Sequence, residues 1–345
     1  DALAKIAQGI TAAVVGQDGE SPYPLASFYA ALEAAPAKIN VAAYAGHNTL
    51  RDEVMGADFR RPANDDEIKA MGALLERELA TGAVGLSTGL EYEPGIHSQT
   101  SEVMQLAQLT AEAGGRYISH IRSEDRWFND ALGEIIEIGR VTGMPVQIAH
   151  LKLAMASLWG RSPWIIQRLD AARAEGIDLT ADIYPYTYWQ ASMLVLLPER
   201  DPMDLAAIDF VIAELAPPDG IIFTHFPVEP SYVGMTLTEI AAAREQSPTE
   251  AFAALAQMSI AHETATGDVG DAVLGTSMRE DDIAAFMAWP HTNICTDGGL
   301  RDRHPRGAGS FPRVLGRYVR EQGVLSLESA IHRMTALPAR HMGFA

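Results

Sequence analysis

Two short apolar runs in this chain end in a histidine where a turn residue would be usual: Arg116-Tyr117-Ile118-Ser119-His120-Ile121-Arg122 and Val146-Gln147-Ile148-Ala149-His150-Leu151-Lys152. Runs of that length and composition predict buried strands, and the carboxyl end of a strand is where α/β folds carry their chemistry. Between the two histidines, residues 128–141 have helical spacing. The segment therefore predicts a strand–helix–strand unit that brings both imidazoles to one rim, where they could share a metal ion. Asp18, His47, Ser87, Asp182, His225 and Asp297 end other candidate strands. A single strand-end histidine is more often a hydrogen-bonded structural group than a ligand. His120 and His150 are set apart by their matched placement, and Asp18 offers a carboxylate from a neighbouring strand. Two imidazoles and a carboxylate form a usual ligand set for catalytic zinc, with one coordination position left to water. Asp297, in Cys295-Thr296-Asp297-Gly298-Gly299, could take that water's proton, with Asp182 the next candidate.

These residues need a scaffold that repeats. Further strands are predicted at 10–15, 39–45, 83–87, 177–183, 221–226 and 292–296, with helical periods between most of them. In one such period, over 65–80, Ile68, Met71, Leu74, Leu75 and Leu79 recur at helical spacing behind Asn64, with Glu67 at the capping-box position. Strands and helices alternating this often predict a parallel sheet covered by helices, with neither a short repeat nor a low-complexity segment. The alternation breaks over 187–280, which holds Tyr188, Trp189, Pro217-Pro218 and Phe226-Pro227. An insertion of that length between core strands predicts a lid over the site more than a plain crossover.

Composition bounds the function. With 345 residues and 48% hydrophobic content, the chain can bury one large core, and a single barrel-sized domain is the simpler expectation. A net charge of −19 argues against nucleic acid and anionic lipid as partners. Cys295 is the one cysteine, so there is neither a disulfide framework nor a thiolate zinc cluster, which suits a reducing, cytoplasmic setting. No apolar run of eighteen residues and no signal-peptide pattern occurs, so a soluble protein without membrane attachment is expected.

A set of ordered motifs carries a family resemblance across nearly the whole chain. They include Gly46-His47-Asn48-Thr49-Leu50-Arg51, Gly85-Leu86-Ser87-Thr88-Gly89-Leu90-Glu91-Tyr92-Glu93-Pro94-Gly95, Ser119-His120-Ile121-Arg122-Ser123-Glu124 and Ala149-His150-Leu151-Lys152. Asp182-Ile183-Tyr184-Pro185-Tyr186-Thr187, Thr296-Asp297-Gly298, His304-Pro305-Arg306 and Met334-Thr335-Ala336-Leu337-Pro338-Ala339-Arg340 follow. The chain resembles the catalytic barrel of the N-acyl-D-amino-acid deacylases, or D-aminoacylases, a branch of the metal-dependent amidohydrolases. The resemblance implies a TIM-like (β/α)8 barrel and zinc-dependent hydrolysis of N-acyl-D-amino acids, with His120 and His150 as zinc ligands and Asp297 as the group that takes and returns the proton. It places Tyr92, Lys152 and Arg306 at positions that hold the substrate. Two cations beside a metal site, in a chain with 45 acidic residues, favour an anionic small molecule over the bland reading of solvated rim charges.

Two departures stand out. Many members read Gly-Asn-Cys-Gly where this chain has Gly16-Gln17-Asp18-Gly19; an oxygen donor there leaves more positive charge on the metal and admits manganese or iron beside zinc. The family's His-x-His of the first strand is absent from these residues, as are that strand and the small flanking β-domain. The expectation is an incomplete copy in which Asp18, His120 and His150 survive and a second metal site is lost. A cyclic-amidase or dipeptidase-like enzyme and a non-catalytic metal- or ligand-binding barrel are the alternatives.

Overall fold

The computed structural model describes residues 2–300 and 303–344. Its strands are β1 (Ala12–Val15), β2 (Asn40–Ala43), β3 (Ala45–Gly46), β4 (Gly85–Gly89), β5 (Arg116–His120), β6 (Val146–Ile148), β7 (Leu179–Ile183), β8 (Tyr188–Ala191), β9 (Ile221–His225), β10 (Ala272–Thr276) and β11 (Thr292–Ile294). β1 pairs with β2, and β3-β4-β5-β6-β7-β11 follow in that order, every pair parallel. The predicted strand over 39–45 is interrupted at Tyr44, whose N–H bonds Val15 O at 2.9 Å while Ala43 O accepts from Val84 N at 2.9 Å. Those two bonds join the two sheets into one α/β layer.

Helices cross between the strands as the spacing predicts. The helix Asp65–Thr81 begins in a complete capping box, Asn64 accepting from the Glu67 backbone while Glu67 reaches back, and it buries Ile68, Met71 and Leu75. Phe128–Thr142 connects β5 to β6 and turns Leu132, Ile135 and Ile138 onto the sheet. The histidine pair therefore rides on a parallel unit in which Ser119 stands opposite Ile148.

The segment 187–280 is a layer of its own. β8, β10 and β9 form a three-stranded antiparallel sheet with β10 in the middle. It closes over a separate core that includes Phe223, Phe226, Leu237, Phe252, Leu255 and Val273. This corrects the reading of 221–226 as a strand alongside those of the main sheet: its apolar residues are buried, but against the insertion. β8 and β10 escaped prediction because one is a half-buried mix of aromatic and polar residues and the other is short and broken by Gly275.

His47 follows the end of β3, as expected, but its side chain serves a buried ion network instead of the metal cluster. It opens the helix His47–Met55, fully buried, with Nε2 2.8 Å from Glu102 Oε1. Arg51, 0% exposed, donates from Nη1 to both Glu102 oxygens at 2.6 Å and from Nη2 to the Phe59 and Arg61 carbonyls. Burial alone would raise the Glu102 carboxyl, yet His47 and Arg51 hold it below its ordinary value. Glu102→Ala leaves a buried guanidinium without its counter-charge and is expected to lower stability by about 3–5 kcal/mol, measured by urea denaturation; a loss under about 1 kcal/mol would mean that water or another carboxylate takes over.

Candidate metal and active site

Three of the expected site residues sit in a backbone conformation that side chains seldom adopt. Asp18 has φ +57°, His150 φ +35° and Asp297 φ +44°, each just beyond the end of a parallel strand. Left-handed residues turn the chain sharply, and Asp and His tolerate the region better than branched side chains do. Asp182, at the next strand, supports the turn at His150 by accepting its backbone N–H on Oδ1 at 2.7 Å. Its Oδ2 accepts from Gln147, so both oxygens serve the scaffold. Gly89 lets the neighbouring loop approach: a Cβ there would lie 2.0 Å from Asp18 O. Ser87 donates its hydroxyl to Gly16 O and ties β4 to the same loop.

Side chains converge from these turns. His120 Nδ1 lies 3.0 Å from His150 Nε2, and Asp18 Oδ1 lies 3.3 Å from the same Nε2 without hydrogen-bond alignment. Donor atoms of one tetrahedral zinc, at about 2.0–2.2 Å from the ion, stand roughly 3.3–3.5 Å apart, close to these separations. A buried carboxylate oxygen without a partner beside two facing imidazole nitrogens fits a cation.

Two glutamates that the motif reading did not single out complete the arrangement. Glu91 Oε2 is 2.9 Å from His120 Nε2, and Glu124 Oε1 is 3.0 Å from His150 Nδ1. His120 thus turns its outer nitrogen to a carboxylate and its inner nitrogen to the cluster, the way metal-bound histidines are held in tautomer and orientation, whereas His150 Nδ1 is shared between Glu124 and the Lys152 ammonium at 2.7 Å. Glu91, His120 and Glu124 also have ligand atoms within 4.8 Å of one another, but Glu124 is committed to Lys152 Nζ at 2.6 Å. Burial would raise the Asp18 carboxyl, but the charges of His150, His120 and Lys152 hold it at about 2. Glu124 is held low against its burial by Lys152 and both histidines. Burial and Lys152 push His150 down, yet Asp18, Asp297 and Glu124 lift it well above its ordinary value.

Lys152 and Arg306 are 4% and 8% exposed, so neither is a solvated rim charge. Lys152 stands 2.7 Å from His150 Nδ1 as well as bonding Glu124. Arg306 Nη1 donates to Asp297 Oδ2, its guanidinium lies 4.6 Å from the Tyr184 ring centre, and its buried Nε has no acceptor. Tyr92 packs on His120 at 4.3 Å between ring centres. Burial, followed by the charges of Asp18, Glu124 and Asp297, keeps its phenol well above the ordinary range and neutral. Asp18, Tyr92, His120, His150, Lys152, Asp297 and Arg306 all line one cavity of about 1970 Å³. His225 lies apart, in the insertion, with Nε2 3.2 Å from Val269 O. The groups missed, Glu91, Glu124 and Tyr184, all lie within the family motifs, beside Tyr92, four residues after His120 and two after Asp182, and that proximity is their signal in the sequence.

A parallel α/β layer whose strand ends gather imidazoles and carboxylates around a cation-sized space defines a class, the metal-site α/β proteins. No family model matches the chain. An N-acyl-D-glutamate deacylase of Alcaligenes xylosoxydans xylosoxydans is 36% identical over 341 residues, covering 98% of this chain and 64% of that protein, so the chain spans rather less than two thirds of that relative. A D-aminoacylase of the same organism is 33% identical over 370 residues, covering 100% of this chain and 70% of the relative. Among solved structures, an N-acyl-D-glutamate deacylase of Bordetella bronchiseptica, complexed with zinc and a phosphonate inhibitor that mimics the reaction's tetrahedral intermediate, superposes with a TM-score of 0.85. It is 35% identical, covering 100% of this chain and 71% of that one. The chain belongs to the D-aminoacylase family of amidohydrolases.

Metal analysis of purified protein is expected to find about one tightly bound transition metal per chain, lost in a His120→Ala/His150→Ala double variant. Glu91→Gln, which removes the charge behind His120, should weaken metal affinity by about 10- to 100-fold in a chelator competition. Unchanged affinity in that variant would leave Glu91 a packing residue.

Proposed function

We propose that this chain hydrolyses the amide bond of N-acyl-D-amino acids, with Asp18, His120 and His150 holding one zinc ion. The observation that carries the reading is the Asp18 oxygen that makes no hydrogen bond yet stands with the two imidazole nitrogens within 4.8 Å of one another, in the same cavity as the Asp297–Arg306 pair. The relatives' named substrates and the zinc in the similar structure support it. Asp18, in place of a thiolate, would also accept manganese or iron. The ion, when bound, supplies a Lewis acid for the acyl carbonyl and lowers the pKa of water.

The chain's own groups supply the rest. Asp297 accepts the water proton on its carboxylate and returns it to the leaving amine, while Arg306 on Oδ2 fixes the carboxylate's rotamer. Arg306 lines the cavity and keeps a donor uncommitted, which makes it the stronger of the two expected cations for the substrate carboxylate. Lys152 acts through Glu124 and His150, and Tyr92 offers a neutral hydroxyl as donor. The parallel layer is proposed as the greater part of a (β/α)8 barrel, and 187–280 as its lid, since Val195 and Leu196 line the cavity and Arg200 Nη2 bonds Glu91 O. A cation reserved for a free carboxylate disfavours cyclic-amide substrates.

Asp297→Asn should retain metal and fold while turnover falls by about two to four decades; near-normal rates would remove Asp297 from the proton transfer. With one end of the substrate fixed at the metal and the other at Arg306, handedness should be sharply read. Rates on N-acetyl-D-amino acids are expected to exceed those on the L-enantiomers and on D-amino-acid amides. Arg306→Ala should weaken binding of the free acid by about 1.5–3 kcal/mol, read as a raised KM for the acid and not the amide, and should lower kcat on both through the loosened Asp297 carboxylate. Equal cleavage of both enantiomers, or of acid and amide, would overturn the carboxylate clamp.

A further inference from the structure

His304 lies outside the metal cluster and is 2% exposed, with both ring nitrogens committed. Nε2 is 2.8 Å from Tyr188 O, and Nδ1 is 2.9 Å from the backbone N of Arg306. A carbonyl can only accept and a backbone N–H can only donate, so the ring is a neutral imidazole with its proton on Nε2. Burial, helped by Arg306, pushes its pKa down to about 3, consistent with that form. Tyr188 stacks on the ring at 4.7 Å between centres, and Tyr186 and Tyr184 meet its edges at 5.3 and 6.1 Å. Tyr188 begins β8, the first strand of the insertion, while Arg306 begins the helix Arg306–Arg313, whose preceding Pro305 offers no side-chain cap. One imidazole therefore spans the insertion and the backbone of the residue that grips Asp297.

We infer that His304 is a positioning residue that hangs Arg306 from the insertion's sheet, so that the placement of β8 sets the guanidinium's aim at a substrate carboxylate. The inference rests on the reading of Arg306 as the carboxylate-binding cation. It assigns the insertion a part in selecting free acids over amides, beyond covering the cavity. The two bonds are separable. His304→Asn keeps an oxygen able to accept the N–H two residues on, as Asx turns do, and loses the link to Tyr188. His304→Ala loses both.

The experiment measures kcat and KM of the intact zinc-loaded chain for an N-acetyl-D-amino acid and for its amide, in wild type, His304→Ala, His304→Asn, Arg306→Ala and the His304→Ala/Arg306→Ala double variant. His304→Ala is expected to lower the acid-over-amide preference by roughly five- to tenfold, mostly through KM, with His304→Asn in between and almost no further change when Arg306 is already alanine. Equal losses on acid and amide, or losses that multiply in the double variant, would reduce His304 to a structural residue and overturn the inference. A wild type without acid preference refutes the carboxylate clamp itself, a failure seen before any His304 variant is made, and the inference falls with it. Nitrogen-15 NMR of histidine-labelled protein, with His304→Asn to assign the ring, reads the tautomer without turnover and covers the case of a poorly folded alanine variant. A ring protonated on Nδ1 overturns the inference independently.

Discussion

Parallel pairing of β5 with β6 places Ser119 opposite Ile148 and carries His120 and His150 off adjacent strand ends into contact, 3.0 Å apart. Two imidazoles cannot be buried that close with both inner nitrogens unprotonated unless something positive lies between them or near them. The neighbouring side chains hold the pair in place and bring mostly negative charge, which leaves the positive partner to a cation. Glu91 and Glu124 take the outer nitrogens, Lys152 balances Glu124, Asp182 holds the His150 backbone, and Asp18 closes the third side. The charges are so interlocked that single removals should be felt across the cluster, because the titrations of Asp18, Glu124, His150 and Lys152 are displaced by one another. A cation would relieve the strain of this arrangement by giving all three inner atoms a common partner.

Local chemistry explains why part of this was readable without coordinates. A histidine or aspartate that ends an apolar run declares both its strand and its rim, so Asp18, His120, His150 and Asp297 could be named from type and position. Glu91 and Glu124 could not, because the nitrogen each one faces depends on how the loops after β4 and β5 fold over one another. The same limit governed 221–226. An apolar run of five or six residues looks alike whether it is buried in the parallel sheet or in a second core, and β9 belongs to the second. His47 and His225 show the converse: residue type suggested chemistry, whereas a buried Glu102 and a surface carbonyl took the side chains instead. Lys152 and Arg306 were legible as cations near the site, but only their partners separate one that is engaged with Glu124 from one with a donor to spare.

The insertion is joined to the main layer by polar contacts at several points. Trp159 donates to Ser277 O, and Arg126 approaches Leu196 O at 3.4 Å with its guanidinium over the Phe210 ring. Such contacts let a separately cored layer stay in register with the strand ends beneath it while keeping its own packing.

The left-handed turns at Asp18, His150 and Asp297 have an energetic consequence. Glycine adopts that backbone freely, whereas each side chain there is strained by an amount on the order of 1–3 kcal/mol. At these three positions the residue best for the backbone is the one that carries no side chain into the cavity. A glycine there would relieve the backbone but strip a side chain from a buried charge cluster, a larger loss, so at the same three residues the backbone and the cluster pull in opposite directions and the cluster prevails.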